Sequence, residues 1–388
     1  MAFNLVADCV IKGKPYPPLT KWQAEPYTPA WREFGKHWPY VVPLELFEHC
    51  QTHNYPCSIV PHGDLYPIGL GFFNFEIDYF GLLNADILQS LKDNKLKILF
   101  YYHEGDNPYT IHQQLNSLCI IHNLPLDCYR FVSGNTAADL IHGMVYFPDH
   151  ELLYWHRNRN VASVIQHLNQ REKDFTVLSR THKWWRATVM SDLHKQGLLN
   201  NSYWSYRTDI ATDEPFTDNP IEIDSLDRVR EHMDKFLLNA PYACDNMDEN
   251  QHNDHGLTES SHYTNSYCHI ILETHFDADG SKGAFLTEKT FKVIKHGHPF
   301  VIAGCPGSLC ALRKLGYKTF DHAIDNSYDD EMDNTKRWCK LVNTIKQIKQ
   351  ENLHSWFIKC SDDIKHNQQL FTSSKYSRLN TLFERLND

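Results

Sequence analysis

The chain has 388 residues, which exceeds the usual size of a single hydrophobic core and predicts two domains of about 150 to 200 residues each. Its 21 Phe, 20 Tyr and 9 Trp residues exclude a disordered chain, and its formal net charge of −10 argues against a surface built throughout to neutralise nucleic acid. Eleven cysteines without a Cys-x-x-Cys pair indicate free thiols in a reducing compartment, so we expect a cytoplasmic protein.

The N-terminal residues 1–8 lack the basic segment of a secretory signal, and Asp8 interrupts their short apolar stretch. No run of the sequence approaches the roughly 20 apolar residues that span a bilayer. We therefore expect neither a cleaved signal nor a membrane span.

Apolar, β-rich stretches alternate with helical patterns in the first half of the chain. Strands are predicted at 58–60, 96–102, 129–132 and 144–147, and helices at 85–92 and 109–122. This rhythm predicts an α/β domain, which we place at residues 1–165.

A second α/β segment begins near Lys173. Strands are predicted at 175–178, 268–272 and 299–303, and helices from Thr181 as N-cap to a stop at Gly197, at 287–295, and at 308–315 with a stop at Gly316. The polar, apolar-poor stretch 245–261 predicts a surface loop. We place this doubly wound domain at 172–350, followed by a helical tail at 351–388 that we expect to pack back on the first domain.

The helix predicted at 287–295 begins with residues suited to binding an anion. Thr287 can cap the helix, whose first N–H groups and positive dipole end favour a phosphate. Lys289 and Lys292 add cationic donors, and Glu288 can accept two hydrogen bonds from a ribose diol. The alternative is that Thr287 is only a cap and that Glu288 and Lys292 form an exposed i,i+4 pair.

Over roughly 50 residues here the sequence resembles the fucosyltransferase-like glycosyltransferases. The similarity consists of Leu272-Glu273-Thr274, Thr287-Glu288-Lys289 and the apolar stretch from Pro299 to Gly304, in the order of the family's motif. The resemblance implies a GT-B-like α/β fold, in which two Rossmann-type domains face a cleft. It also implies that Glu288 binds the donor ribose and Lys289 a phosphate, within a donor site that includes Glu273, Thr274, Thr287 and Lys292. Thr274 stands where the family usually has Asn.

A second group of cations lies between Ser179 and Arg186, where a predicted strand runs into a helix. The same resemblance implies that Arg186 binds the diphosphate, and Arg180 is the second candidate for this role. Arg and Lys would then neutralise the departing diphosphate in place of a metal. The alternative is a basic surface patch beside core tryptophans.

An inverting transfer also needs a base for the acceptor hydroxyl. The stretch from Phe100 to Pro108 is similar to the family segment that carries this base, which makes Glu104 the candidate. Asp106, Glu76 and Asp78 are the fallback bases. The loop residues Ser133 and Asn135 are candidates to bind the acceptor, although a carboxylate or amide at such a place can equally cap a turn or a helix.

No cofactor or metal is expected besides the nucleotide-sugar co-substrate. The pairs His252 with His255 and His296 with His298 lack the spacing and helical context of a zinc site. A Walker-type loop is absent from the sequence, and Gly69-Leu70-Gly71 lacks the third glycine of a dinucleotide fingerprint.

Together with these residues, the resemblance implies inverting, metal-independent transfer of a sugar from a nucleoside-diphosphate sugar to a hydroxyl of a glycan. If the resemblance extends to the donor, GDP-fucose is the first nucleotide sugar to test. One alternative is a phage-type enzyme that glycosylates a hydroxymethylated DNA base in the host cytoplasm. The other is a non-catalytic protein that binds a nucleotide sugar or a glycan on the same scaffold.

Overall fold

The computed structural model describes residues 10–11, 14–15, 64–70, 73, 75–81, 83, 85–152, 169–208, 219–223, 227–244, 261–277, 281 and 283–387. Strands β1 (Val10–Ile11) and β2 (Lys14–Pro15) form a short antiparallel pair. The strand predicted at 58–60 lies outside the described residues. So does the loop predicted at 245–261, except Ser261, which begins a helix.

The chain divides into two compact units. Unit 1 comprises Met1–Asp149 and Ser374–Asp388, and unit 2 comprises His150–Ser373. This division differs from the predicted boundaries at 165 and 351, because the chain enters unit 2 at His150 and the tail is divided between the units at Ser374.

Unit 1 contains a four-stranded parallel sheet in the order β3-β4-β5-β6. Its strands are β3 (Asp64–Leu70), β4 (Leu96–Tyr102), β5 (Tyr129–Ser133) and β6 (Met144–Tyr146). The predictions of β4, β5 and β6 are confirmed, whereas β3 was not predicted. Pro67 and Gly69 normally argue against a central strand, and β3 tolerates them because it pairs on one side only among the described residues.

Helices follow the strands of unit 1 as predicted. They are α1 (Ala85–Lys92) and α2 (Pro108–Ile121), with a short 3-10 helix at Thr136–Leu140. Asn107 caps α2 by accepting a hydrogen bond of 3.0 Å from the backbone N–H of Tyr109. Pro108 suits the first helical position, since it has no N–H to leave unpaired.

Unit 2 contains a second parallel sheet, in the order β10-β9-β7-β8. Its strands are β7 (Lys173–Ser179), β8 (Tyr203–Tyr206), β9 (Ser266–Leu272) and β10 (Phe300–Ala303). β9 and β10 are buried along their whole length, which is typical of parallel strands covered on both faces. The strand order reverses between β8 and β9, so β7 and β9 flank the switch point at which sheets of this type bind ligands.

Most helices surround this second sheet. They are α3 (Trp184–Lys195), α4 (Asp227–Leu238), α5 (Ser261–Thr264), α6 (Glu288–Lys295), α7 (Ser308–Lys314), α8 (Asn334–Gln350), α9 (Leu353–Lys359) and α10 (Ser361–Ser373). The prediction of Thr181 as an N-cap is wrong, because the N-cap is Lys183, whose backbone is extended, and α3 begins at Trp184. The predicted stop at Gly197 is confirmed, since Gly197 adopts a φ of 68° just beyond the helix.

The helical tail is confirmed from Asn334 onwards. Its last helix, α11 (Lys375–Asn387), belongs to unit 1, where Arg385 Nη2 donates a hydrogen bond of 2.6 Å to Asp139 Oδ1. Both units are thus mixed α/β with a parallel sheet and helices, compatible with Rossmann-like domains. Across the described part of the chain, no helix has the length and apolar character needed to cross a membrane.

Candidate functional site

Two polar segments meet at the switch point of the unit 2 sheet. β7 ends at Ser179 and is followed by Arg180, while β9 ends at Leu272 and is followed by Glu273 and Thr274. Because the carboxyl ends of parallel strands lie at one edge of a sheet, both segments project from the same edge. This edge is the candidate donor site.

Glu273 is completely buried at this edge and accepts four hydrogen bonds. Its Oε1 accepts from the Thr287 N–H at 3.1 Å and the Thr290 hydroxyl at 2.5 Å. Its Oε2 accepts from the Thr287 hydroxyl at 2.5 Å and the Thr274 N–H at 3.1 Å. These bonds occupy the usual capacity of a carboxylate, so Glu273 joins the end of β9 to the start of α6 and does not offer an open ligand contact.

Gly304 makes room for this carboxylate. A Cβ atom at that position would lie 3.3 Å from the Cβ of Glu273, 3.2 Å from Cγ2 of Ile302 and 3.1 Å from Oγ of Ser308. Each distance is tighter than an ordinary contact. A side chain at 304 would therefore press on the buried network.

We expect Glu273→Gln to lower the free energy of unfolding by about 2 to 4 kcal/mol, because an amide replaces a charged acceptor and turns an N–H group toward existing donors. Thr290→Val, which removes one donor of the network, should cost about 1 kcal/mol. Urea unfolding measures both changes. The exposed Glu351 provides the matched control, since Glu351→Gln should change stability by less than about 0.5 kcal/mol. An equal effect of the two glutamines would contradict a role for the network.

The start of α6 carries the predicted cap and a cation. Thr287 is the N-cap, as predicted, and its hydroxyl accepts from the Lys289 N–H at 3.4 Å. Lys289 Nζ donates to Thr274 Oγ1 at 3.0 Å, Glu288 Oε1 at 3.1 Å and Thr287 Oγ1 at 3.3 Å. The side chain of Lys289 remains 32% exposed, so its ammonium group can reach an incoming anion.

Glu288 is held between two basic groups. Its Oε1 pairs with Lys289, and its Oε2 lies 3.6 Å from Nδ1 of His150. Only 13% of its side chain is exposed. His150 was not singled out from the sequence, because no local motif connects it with a residue 138 positions further along the chain.

Lys292 lies one turn further along α6. Burial lowers the pKa of His296 to about 3, and the positive charge of Lys292 contributes to this shift. Burial also lowers the pKa of His269, again with a contribution from Lys292. The two lysines predicted to bind the donor thus differ in their surroundings. Lys289 donates to Thr274 at the sheet edge, whereas the charge of Lys292 helps to lower the pKa values of two buried histidines.

Arg186 is 4% exposed and binds the backbone at the same edge. Its Nη2 donates to the carbonyl oxygen of Glu273 at 2.6 Å, and its Nη1 donates to that of Thr181 at 3.3 Å. Arg180 is half-buried directly after β7. Arg186 and Lys289 thus both bind the dipeptide Glu273-Thr274, one at its backbone and the other at its threonine hydroxyl.

The candidate base lies at the carboxyl edge of the unit 1 sheet. The Gly134 N–H donates to the carbonyl oxygen of Glu104 at 3.1 Å, and the Asn135 side-chain amide donates to that of Gly105 at 2.9 Å. The loops that follow β4 and β5 therefore lie side by side. Glu104 is 38% exposed, with its Oε1 3.3 Å from Nε2 of His103.

The other candidates of this edge have structural partners. Asp106 accepts a hydrogen bond from the hydroxyl of Tyr102, whose pKa is raised by burial. Asn135 caps the 3-10 helix by accepting from the Ala137 N–H at 2.9 Å, and Ser133 Oγ accepts from the Asn135 N–H at 3.1 Å. The side chain of Glu104 is partly exposed, whereas the carboxylate of Asp106 is bonded to the buried Tyr102.

The fallback base Asp78 lies far from Glu104. Its carboxylate is 2.8 Å from Nε2 of His122, the residue that follows the last turn of α2. α2 begins beside Asn107 and its 14 residues span about 21 Å, so Asp78 and the Glu104 loop lie at opposite ends of this helix. Glu76 is exposed.

Sequence reasoning missed a group of buried histidines in unit 2. His269, His296 and His298 pack around Tyr263, and the buried His262 contacts the ring of Tyr203. Tyr263 stacks on His296 with ring centroids 4.2 Å apart. No group of three or more metal-ligating side chains in the described segments is arranged to hold a metal ion, and His252 and His255 lie outside those segments.

No protein-family model matches the chain, and no curated protein matches it significantly in sequence. The function is therefore inferred from the chemistry at the two sheet edges.

Proposed function

We propose that this chain is an inverting, metal-independent glycosyltransferase of GT-B organisation, which moves a sugar from a nucleoside-diphosphate sugar to an acceptor hydroxyl. One observation carries the proposal. Arg186, Lys289 and the first turn of α6 are grouped around Glu273 and Thr274, at the switch point of a parallel sheet. Open α/β sheets bind ligands at this point, and lysine, arginine and a helix N-terminus are types of group that bind phosphate.

The donor half of the reaction is the departure of a nucleoside diphosphate. Negative charge grows on the oxygen that leaves the anomeric carbon, and fixed cations close to it lower the barrier. The ammonium group of Lys289 donates to the hydroxyl oxygens of Thr274 and Thr287 and to the carboxylate of Glu288. Oxygens of the bound phosphate would accept from it in addition to these partners or in their place. Arg180 and Arg186 add positive charge, and Glu288 accepts hydrogen bonds from the ribose.

The acceptor half requires removal of a proton. In the proposed mechanism Glu104 takes the proton of the acceptor hydroxyl. At the same time the oxygen of that hydroxyl bonds to the anomeric carbon, and the bond between this carbon and the diphosphate breaks. A single displacement of this kind inverts the configuration at that carbon. The exposure of Glu104 supports its choice, because a base must reach a substrate that enters from solvent.

Thermal unfolding in the presence of UDP, GDP, CMP and dTDP sugars tests the proposal, with GDP-fucose first. A cognate donor at about 100 times its Kd should stabilise the protein by about 2.7 kcal/mol, with or without a chelator. Failure of every nucleotide sugar to raise the melting temperature would sink the proposal. Binding without transfer would indicate a non-catalytic protein, and transfer onto hydroxymethylated duplex DNA would identify a DNA-modifying enzyme.

Lys289→Met should weaken binding of the nucleoside diphosphate about 10- to 100-fold, because a charge-assisted hydrogen bond contributes about 1.5 to 3 kcal/mol. Isothermal titration measures this loss. Lys314→Met is the matched control, since Lys314 is exposed at the far end of α7, which begins at the carboxyl edge of the sheet. An equal loss in both variants would point to the general charge of unit 2 and would remove Lys289 from the site.

A further inference from the structure

His150 is fixed in place by its surroundings in unit 2. Its ring is buried and meets the ring of Phe285 edge-on, with centroids 5.4 Å apart. The next residue, Glu151, accepts a hydrogen bond from the hydroxyl of Tyr317, and Leu152 is buried. Because the backbone is anchored directly after it, His150 presents its imidazole from a defined position.

The imidazole faces the carboxylate of Glu288. His150 Nδ1 lies 3.6 Å from Oε2, which is within the range of an ion pair and longer than a hydrogen bond. Lys289 Nζ lies 3.1 Å from the other oxygen, Oε1. A nitrogen-bearing side chain therefore stands beside each oxygen of the Glu288 carboxylate.

We infer that His150 is a positioning residue that holds Glu288 ready to accept both hydroxyl groups of a ribose, which makes ribonucleoside diphosphates the preferred class of ligand. The inference rests on the proposed function. A cis-diol donates two hydrogen bonds, and a carboxylate receives both only when its plane faces the diol. Holding the carboxylate beforehand avoids the entropy that a mobile side chain loses on binding.

The inference predicts a preference for ribose over deoxyribose that depends on His150. The wild-type protein should bind GDP about 10-fold more tightly than 2′-deoxy-GDP, or UDP more tightly than 2′-deoxy-UDP if uridine is the cognate base. His150→Phe keeps an aromatic ring against Phe285 and removes the nitrogen atoms. It should weaken binding of the ribonucleotide about 3- to 10-fold and weaken binding of the deoxynucleotide less, because the deoxynucleotide keeps only one of the two hydroxyl groups.

A double-mutant cycle separates positioning from general stability. In a Glu288→Gln background, His150→Phe should cause no further loss of affinity. In the otherwise wild-type protein, His150→Gln, which keeps a polar side chain beside Glu288, should bind the ribonucleotide more tightly than His150→Phe does. If His150→Phe does not fold, His150→Met serves as the apolar variant. Titration calorimetry supplies the affinities and thermal unfolding the stabilities.

Two outcomes would overturn the inference in distinguishable ways. If GDP or UDP binds and His150→Phe weakens the ribo and deoxy ligands equally in both backgrounds, His150 is only structural and the proposed function stands. If neither nucleotide binds the wild-type protein, the preference for ribonucleoside diphosphates inferred from His150 is wrong, and the proposed function fails as well only if no nucleotide sugar binds.

Discussion

Glu104→Gln is expected to lower the rate of sugar transfer about 10²- to 10⁴-fold while the affinity for the nucleotide sugar stays unchanged. The amide has nearly the shape of the carboxylate but cannot take the proton of the attacking hydroxyl. Because Glu104 is 38% exposed, the substitution leaves no buried group unsatisfied, and stability should hardly change. A loss of rate in Glu104→Gln would therefore reflect chemistry.

Hydrolysis of the donor provides a readout that does not depend on the acceptor. Water can replace the acceptor hydroxyl as the nucleophile, and it needs the same base. Release of the nucleoside diphosphate should fall in Glu104→Gln and stay normal in Asp86→Asn, which changes an exposed carboxylate of the same unit. Asp106→Asn should have a small effect, because the amide oxygen can still accept from Tyr102. Normal turnover in Glu104→Gln together with a large loss in Asp106→Asn would assign the base to Asp106.

The strands that could be predicted from sequence are those made of consecutive apolar residues, because such runs indicate a buried strand. Leu96–Tyr102 is a run of apolar and aromatic residues broken only by Lys97, and both ends of this strand were predicted correctly. β3 was missed because Pro67 and Gly69 are signals against a strand, and its position at the edge of the sheet depends on pairing that no local pattern reveals.

The site shows the same division between local and distant information. Thr287 was recognisable as a cap because its partner, Lys289, lies two residues away. Three other contacts join residues far apart in sequence, namely Arg186 with the carbonyl of Glu273, Glu273 with Thr290, and His150 with Glu288. Spacing along a chain does not encode such pairs. The resemblance predicts which residues of this edge bind the donor, and the fold shows what each of them touches.

The buried histidines of unit 2 could not be predicted either, because they come from α5, β9 and the turn after α6. Burial is the main cause that lowers the pKa of His296 and His298 to about 3 each, and it also lowers the pKa of His269. Positive neighbours add to these shifts, with Lys292 and Lys295 acting on His296 and Arg171 acting on His298. The folded protein therefore keeps these three rings neutral at pH values where an ordinary histidine is charged.

This neutrality predicts a loss of stability in mild acid. Below pH 6.5 the unfolded chain protonates these histidines while the folded chain does not, so the unfolded state binds more protons and the free energy of unfolding falls. For His296 and His298 the fall should continue until the pH approaches 3, and it amounts to about 2 kcal/mol for each of them at pH 5. Urea unfolding between pH 7.5 and 4.5 measures it.

His296→Phe isolates one contribution to this acid sensitivity. The phenyl ring can keep the stacking on Tyr263, and neither nitrogen of His296 has a hydrogen-bond partner among the described residues, so the variant should be at least as stable as the wild type at pH 7.5. Below pH 6.5 the free energy of unfolding of the variant should fall less steeply than that of the wild type, and the two slopes should differ by about 1.4 kcal/mol per pH unit. His366→Gln, at an exposed position, should leave the slope unchanged. Parallel curves for His296→Phe and the wild type would mean that His296 takes up its proton in the folded state, and the acid sensitivity would then have to arise elsewhere.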